Sequence, residues 1–379
     1  MEEIDERLHM QLLNFDDDKR KEWIANRKPF SVLFEITAKC NMNCIHCYLQ
    51  HVHAAKEMSF EKIIEIIDIL YEKGILFLTL TGGEILTRKD FLQIYIYAKK
   101  KGFLVELFTN GYLFNEDIIN ALAEYPPLLV DISLYGANEE TYKKVTGISD
   151  AFSKVIENCK RLKEANVRVS LKSPIIDLTL PELNEMKKLA ETLGIPFVYT
   201  FEICSTIDKD TRPKNHLVDM AEILRHEFAN YYEQIKNGTR NDILNYEEVI
   251  GTLKNNKMVY SCNVAVNSFV IDFQGNMCPC MKLRHCGIKL SSSNYDNIWA
   301  DFDKYNKQVA TDKYKCKGCD AQYYCDICPA DMDLLFGNPE YRADDACKCA
   351  LIRKAFYEKE ISLEQALERA NTKKREVYT

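Results

Sequence analysis

Residues 30–36 read Phe30-Ser31-Val32-Leu33-Phe34-Glu35-Ile36, and Cys40-Asn41-Met42-Asn43-Cys44-Ile45-His46-Cys47-Tyr48 follows almost at once. The first run is mostly apolar and of strand length, and Pro29 leads into it. The second sets three cysteines at C-x3-C-x2-C spacing directly beyond that strand. Three thiolates so close hold three corners of a metal centre and leave the fourth open, because no fourth cysteine lies within easy reach in the sequence. Structural zinc normally takes four ligands and is closed, whereas thiolate ligation also suits iron–sulfur clusters. The plainer alternative is a loop of buried free cysteines, since cysteine is common in cores.

Working outward, the strand-then-loop unit repeats. Ser59 reads as the N-cap of a helix running to about residue 71, with Ile63, Ile64, Ile66, Ile67 and Leu70 at helical spacing and Gly74 as its stop. A strand over 75–81 ends in Gly82-Gly83-Glu84, and after a helix over 90–100 a strand over 104–109 ends in Asn110-Gly111. A helix over 116–124, Pro126-Pro127 and a strand over 128–134 come next, then a helix over 152–165 and a strand over 167–176. Thr179-Leu180-Pro181-Glu182 reads as a capping box for a helix that stops at Gly194, and 197–203 is a sixth strand. Six strands alternating with helices mean parallel βα units, curled into a barrel or laid out as a doubly wound sheet. In both, active groups gather at the carboxyl ends of the strands. The cysteine loop, Gly82-Gly83-Glu84, Asn110-Gly111 and Tyr135-Gly136 all fall there, so they are expected to share one site.

The composition bounds the rest. A chain of 379 residues suggests about two domains. Fifty basic against 57 acidic residues argue against a dedicated nucleic-acid or anionic-membrane surface. No run of about twenty apolar residues appears and residues 1–20 are charged, which reads as a cytoplasmic chain with no membrane partner. Fifteen cysteines without a secretory signal are then metal ligands rather than disulfides. Residues 1–29 form a charged N-terminal extension with Trp23 as an anchor, 30–204 the βα domain and 205–261 a linker with helices near 217–235 and 245–255. Residues 262–350 read as short-strand and loop material with a hairpin turning at Gln274-Gly275, and 351–379 as a helical tail. The cysteines of 262–350 are Cys262, Cys278, Cys280 and Cys286, then Cys316-x2-Cys319-x5-Cys325-x2-Cys328, then Cys347 and Cys349. Paired CxxC motifs clamp metal, and ten thiolates suffice for two four-coordinate centres with two left over; a four-cysteine zinc ribbon is the other reading.

C-x3-C-x2-C after the first strand, with Gly82-Gly83-Glu84 closing the second, resembles the radical S-adenosylmethionine enzymes, and the later cysteines resemble the SPASM domain of peptide- and protein-modifying members. The resemblance implies a partial (β/α)6 parallel barrel followed by a small cysteine-rich α+β domain. By it, Cys40, Cys44 and Cys47 bind a [4Fe-4S] cluster whose open iron chelates S-adenosylmethionine, and reductive cleavage yields the 5′-deoxyadenosyl radical. Gly82, Gly83 and Glu84 would bind the methionyl amino group, the glycines allowing close backbone approach. His46 stands where the family presents backbone to the adenine, and Ser133, Asn110 and Lys172 would lie near the ligand; each is otherwise a packed or solvated barrel-rim residue. Two auxiliary [4Fe-4S] clusters are implied, one on Cys262, Cys280, Cys286 and a crossing Cys328, the other on Cys316, Cys319, Cys325 and Cys347. The family's last gap is C-x3-C where this chain has C-x2-C, Cys349 could replace Cys347, and Cys278 stays unassigned.

The implied activity is hydrogen abstraction from a peptide or protein substrate, with a reducing partner such as flavodoxin or ferredoxin. Peptide maturation by thioether or carbon–carbon crosslinking is favoured, because the segment 201–213 resembles that of peptide maturases. Sulfatase-type oxidation of a protein Cys or Ser is the rival, and a non-catalytic zinc-binding or electron-transfer protein is the alternative of another class. Asp177, Glu202 and Tyr199 lie at strand ends as acid–base candidates, each more ordinary as a surface polar. Residues 1–29 are too short for a winged-helix recognition module, so leader binding is expected to use another protein or surface.

Overall fold

The computed structural model describes residues 17–236, 257–262 and 264–370. Its core is a nine-stranded sheet in which six parallel strands lie in sequential order: β1 (Ser31–Thr37), β2 (Phe77–Gly82), β3 (Leu104–Thr109), β4 (Leu129–Ser133), β5 (Val169–Pro174) and β6 (Phe197–Thr200). A doubly wound sheet needs a reversal of strand order. Without one, right-handed crossovers place every helix on the same face and the sheet curls into a partial barrel.

Alternation along the strands sorts the two faces. Val32, Phe34 and Ile36 of β1, Leu78 and Leu80 of β2 and Val105 and Leu107 of β3 are fully buried in one apolar core with Ile63, Ile66, Ile67 and Leu70 of the helix Phe60–Glu72. Ser59 caps that helix, its hydroxyl accepting the Lys62 amide at 3.2 Å. The opposite face is polar and also buried: Glu35, Thr37, Thr79, Thr81, Glu106 and Asp131. A barrel interior lined with carboxylates and hydroxyls is a poor core, which marks it as the working face.

The C-terminal region does not stand apart from this sheet. β7 (Ser268–Ile271) pairs in parallel with β1, and the expected turn at Gly275 (φ +83°) returns the chain as β8 (Asn276–Cys278), followed by β9 (Ile288–Lys289). The region is more helical than the reading as strand and loop, with helices Tyr295–Asp301, Asp303–Lys307, Pro329–Phe336 and Asp344–Tyr357. Asp344–Tyr357 carries apolar residues on all sides, and the other three, of five to eight residues, are too short for a helical period to show. The same holds for Glu139–Thr146, a helix that was not expected, which Asn138 caps by accepting the Thr141 amide at 3.0 Å.

The expected capping box at Thr179–Glu182 does not form. The Thr179 hydroxyl accepts the Ile176 amide instead, at 3.0 Å. Glu182 accepts the Ala137 amide and the Asn138 side-chain amide, both at 2.7 Å, as well as the Thr141 hydroxyl, so it fastens two helix starts together. The expected helix near 217–235 is Met220–Lys236, while that near 245–255 lies outside the described residues, as do 1–16 and 371–379. No helix among the described residues is long and apolar enough to cross a membrane.

Candidate active site

Beyond β1 the cysteine loop folds over the carboxyl end of the barrel. The amides of Met42 and Leu49 donate to the sulfurs of Cys40 and Cys47, each at 3.4 Å, and the loop is pinned to the helix Glu139–Thr146 by the Asn43 and Ile45 amides on the carbonyls of Thr146 and Val145. Burial pushes the Cys40 thiol up to about 12, with Glu84 and Cys47 adding to the rise, and the Cys47 thiol to about 11. Cys44 is held well above the ordinary thiol value by burial and by Cys47 and Cys40. One buried and two half-buried thiols, crowded so that ionisation is opposed, suit a cationic centre, whose binding displaces the protons.

Two polar atoms at the same place are buried and lack partners: Asn41 Nδ2 and His46 Nδ1. Buried polar atoms are normally satisfied, so these two point to a group that completes them. The His46 ring packs 5.2 Å from Tyr135, and burial, with His216 nearby, depresses its pKa to about 4, so it is neutral here.

Gly82 and Gly83 serve a close approach between two chain segments. A Cβ on Gly82, which has φ +136°, would stand 2.0 Å from the Thr37 carbonyl oxygen, and one on Gly83 would stand 2.3 Å from that of Lys39 and 2.5 Å from that of Ala38. Their absence lets the Gly83 and Glu84 amides bond the carbonyls of Thr37 and Lys39 at 3.0 and 2.7 Å. The fully buried Glu84 carboxylate accepts the amides of Asn110 (2.6 Å) and Leu86 (3.0 Å) and the Thr109 hydroxyl (2.8 Å). It therefore ties the end of β2 to the end of β3. Asn110 in turn donates to Asn41 at 2.9 Å and to the Cys40 sulfur at 3.8 Å. The strand-end motifs thus meet around the cysteine loop.

Within the barrel Ser133 and Lys172 sit opposite each other on β4 and β5. Lys172 forms an ion pair with Asp131 and lies 3.7 Å from the centroid of the Phe108 ring, so it belongs to the lumen wall. The acid–base candidates do not converge. Asp177 is exposed in a turn, 3.1 Å from His216. Glu202 and Tyr199 line a separate cavity of about 510 Å³ along β6, where the Tyr199 hydroxyl accepts from Asn230 at 2.8 Å.

Glu35, Tyr48 and Arg284 form a group that motif reading passed over. The Glu35 carboxylate, fully buried on β1, accepts both terminal nitrogens of Arg284 and the Tyr48 hydroxyl at 2.7 Å. Tyr48 follows Cys47, and Arg284 lies between Cys280 and Cys286, so one carboxylate joins two cysteine loops. An acid inside an otherwise apolar strand was the available signal.

The C-terminal thiols fall into two neighbourhoods. Cys280 is raised to about 12, first by burial, with Cys328 and Cys262 as charged neighbours, and Tyr305 bonds to Cys286 beside Tyr260, which is near Cys280, Cys286 and Cys328. Cys316 is raised by burial, Cys319 and Cys347, and Cys325 is raised to about 11 by burial with Cys316 and Cys319 near it. The short gap before Cys328 thus still places its sulfur beside Cys280. Cys349 lies instead in a buried apolar cluster with Phe228 and Phe356, and Cys278 is fully buried under Gly287. His285 and Asp333 bring further ligand atoms within 4.8 Å of Cys286.

Residues 34–193 match the Radical SAM superfamily model. Among curated proteins, the chain is 24% identical over 321 residues to the AdoMet-dependent heme synthase of Methanosarcina barkeri, spanning 80% of this chain and 91% of that protein. It is 26% identical over 256 residues to the antilisterial bacteriocin subtilosin biosynthesis protein AlbA of Bacillus subtilis, spanning 66% of this chain but only 55% of that one. Among solved structures, Streptococcus suis SuiB bound to precursor peptide SuiA matches with a TM-score of 0.66 at 19% identity, covering 87% of this chain and 80% of that chain. This last likeness concerns the fold.

Proposed function

The chain belongs to the Radical SAM superfamily through residues 34–193, and on that premise we propose that it is a peptide-modifying enzyme that abstracts hydrogen from a peptide chain and sets a thioether or carbon–carbon crosslink. The observation that carries the site is the meeting of three desolvated thiols, the orphaned atoms of Asn41 and His46 and the strand-end motifs at one barrel mouth. Cys40, Cys44 and Cys47 would hold a [4Fe-4S] cluster in this reading, and Gly82, Gly83, Glu84, Asn110, Ser133, Lys172 and His46 would hold S-adenosylmethionine beside it. The chemistry this pair supplies is reductive cleavage of S-adenosylmethionine and removal of a substrate hydrogen atom. The protein's part is to bury the thiols, donate amides to their sulfurs and keep water from the lumen.

Cys262, Cys280, Cys286 and Cys328 hold one auxiliary cluster in this proposal and Cys316, Cys319, Cys325 and Cys347 the other, and a low-potential flavodoxin or ferredoxin is the electron donor. A second reading, modification of a tetrapyrrole, is favoured by the match that spans nearly all of the heme synthase but only about half of AlbA. The anaerobically purified protein, reduced and given S-adenosylmethionine, is expected to release 5′-deoxyadenosine. A cysteine-containing precursor peptide encoded beside its gene is expected to lose a pair of hydrogens per bond formed. Turnover of a porphyrin with no change in any peptide would refute the peptide reading, and colourless zinc-loaded protein would refute the radical chemistry.

A further inference from the structure

The cavity along β6 is lined by every residue from 197 to 203, and beyond them by Lys214, Lys282, Cys328 and Asp331. Successive side chains of a strand point to opposite faces. A cavity that touches each residue in turn therefore runs along the strand's edge, and β6 is the terminal strand of its sheet. The carbonyls of Pro196 and Thr200 bond β5, through the Leu171 and Ile175 amides at 2.8 and 2.7 Å. By the strand's period the amides and carbonyls of Phe197 and Tyr199 point the other way, into the cavity, where no described residue's backbone pairs with them.

The charged residues of the wall are largely matched. Lys214 pairs with Asp331 at 3.2 Å, and Arg353 holds Glu227 and Asp326. Lys282 is different: its ammonium makes no hydrogen bond or ion pair within 4 Å among the described residues, though Cys204, Cys328, Asp331 and Glu202 lie around it. Asp331 keeps a buried Oδ1 with no donor. A strand edge that no described backbone pairs, a cation without a direct contact and an acceptor without a donor together suit a ligand with alternating amides and carbonyls and one carboxylate.

Resting on the peptide reading above, we infer that this cavity docks an extended acidic segment of the substrate peptide, which adds to β6 as a further strand and places a carboxylate on Lys282. Such strand addition takes its affinity from main-chain bonds and its specificity from side-chain pockets. Cys328 in the same wall puts the docked segment beside one of the C-terminal thiol groups.

The test is selection of a phage-displayed random heptapeptide library on the reconstituted full chain under anaerobic conditions, with the winning peptide then resynthesised. Expected are enrichment of Asp or Glu at one fixed position, loss of binding when alternate backbone amides of that peptide are methylated, and binding about tenfold to a hundredfold weaker in K282Q. K282R, which keeps the charge beside the cysteine loop, is expected to retain binding and so separates lost recognition from lost folding. Tyr199→Pro removes one cavity-facing amide and leaves the β5 ladder intact, and it is expected to weaken binding as well. Enriched peptides without an acid, or equal capture by K282Q, overturn the docking site, and if the precursor is still modified the peptide reading stands. No enrichment of any peptide likewise overturns the docking site, and modification of the precursor then decides the peptide reading.

Discussion

Exchange of Arg284 for methionine leaves the Glu35 carboxylate fully buried with only the Tyr48 hydroxyl to answer it. Breaking a buried pair by removing one partner costs about 3–5 kcal/mol, because the remaining charge stays in a medium that cannot solvate it. For 379 residues the unfolding entropy near 60 °C is about 0.8 kcal/mol per degree, so the melting temperature should fall by about 4–6 °C. Glu35→Gln should also destabilise, since the guanidinium loses its counter-charge. The double variant E35Q/R284M leaves neither charge and is expected to recover much of the loss, giving a coupling energy of about 2 kcal/mol or more. The Arg284 bond to the Met281 carbonyl at 2.9 Å is absent from both R284M and the double variant, so it cancels in the cycle. Calorimetric melting of the four proteins, loaded with iron to equal extent, is the measurement. Additive losses would refute the idea that this carboxylate joins the two cysteine loops.

Other outcomes follow from single sites. Gly83→Ala forces a Cβ against two backbone carbonyls that cannot rotate away; it should cost about 1–3 kcal/mol and displace the cysteine loop, seen as lost iron in a protein that still folds by circular dichroism. Cys347→Ala should lose one cluster's iron from a total of roughly twelve atoms, whereas Cys349→Ala should keep the full count, because that thiol packs in the apolar cluster with Phe228 and Phe356. Stripping the clusters with a chelator under reducing conditions should bleach the brown colour and lower the melting temperature, since ligand binding to the folded chain is part of its stability. Equal iron in the Cys347 and Cys349 variants would refute the assignment of the second auxiliary set.

The barrel was legible in the sequence because each βα unit carries its own periodic signal. Helix 116–124, for example, appears as Glu116–Glu124, capped by Asn115 on the Ile118 amide at 2.9 Å. The meeting of Gly82-Gly83-Glu84 and Asn110 with the cysteine loop was legible too, because strand-end position alone implies it. The roles of the individual groups were not. A glycine pair announces a close approach but not its partner, and the approach of residues 37–39 to Gly82 and Gly83 shows only in three dimensions. Thr179 and Glu182 have the spacing of a capping box, yet Glu182 finds stronger donors at residues 137–141, a long-range competition that local spacing cannot report. The acid–base candidates scatter for a similar reason, since lying at a strand end does not decide whether a side chain faces the lumen, the solvent or the β6 cavity.

β1 shows how the two halves are made one. It pairs in parallel with β2 on one side and β7 on the other, it ends in the first cysteine loop, and its Glu35 grips the loop that carries Cys280 and Cys286. β7 leads by a tight turn straight into that second loop, so backbone ladder and buried ion pair fix the same geometry from two directions. A hinged pair of domains would need a linker between them at this point, and the chain instead continues one sheet. The thiol groups at the barrel mouth and in the C-terminal region are therefore held at a set separation. In the docking proposed above, the substrate peptide therefore meets the sheet at its β6 edge, unpaired among the described residues, and not through the two halves moving apart.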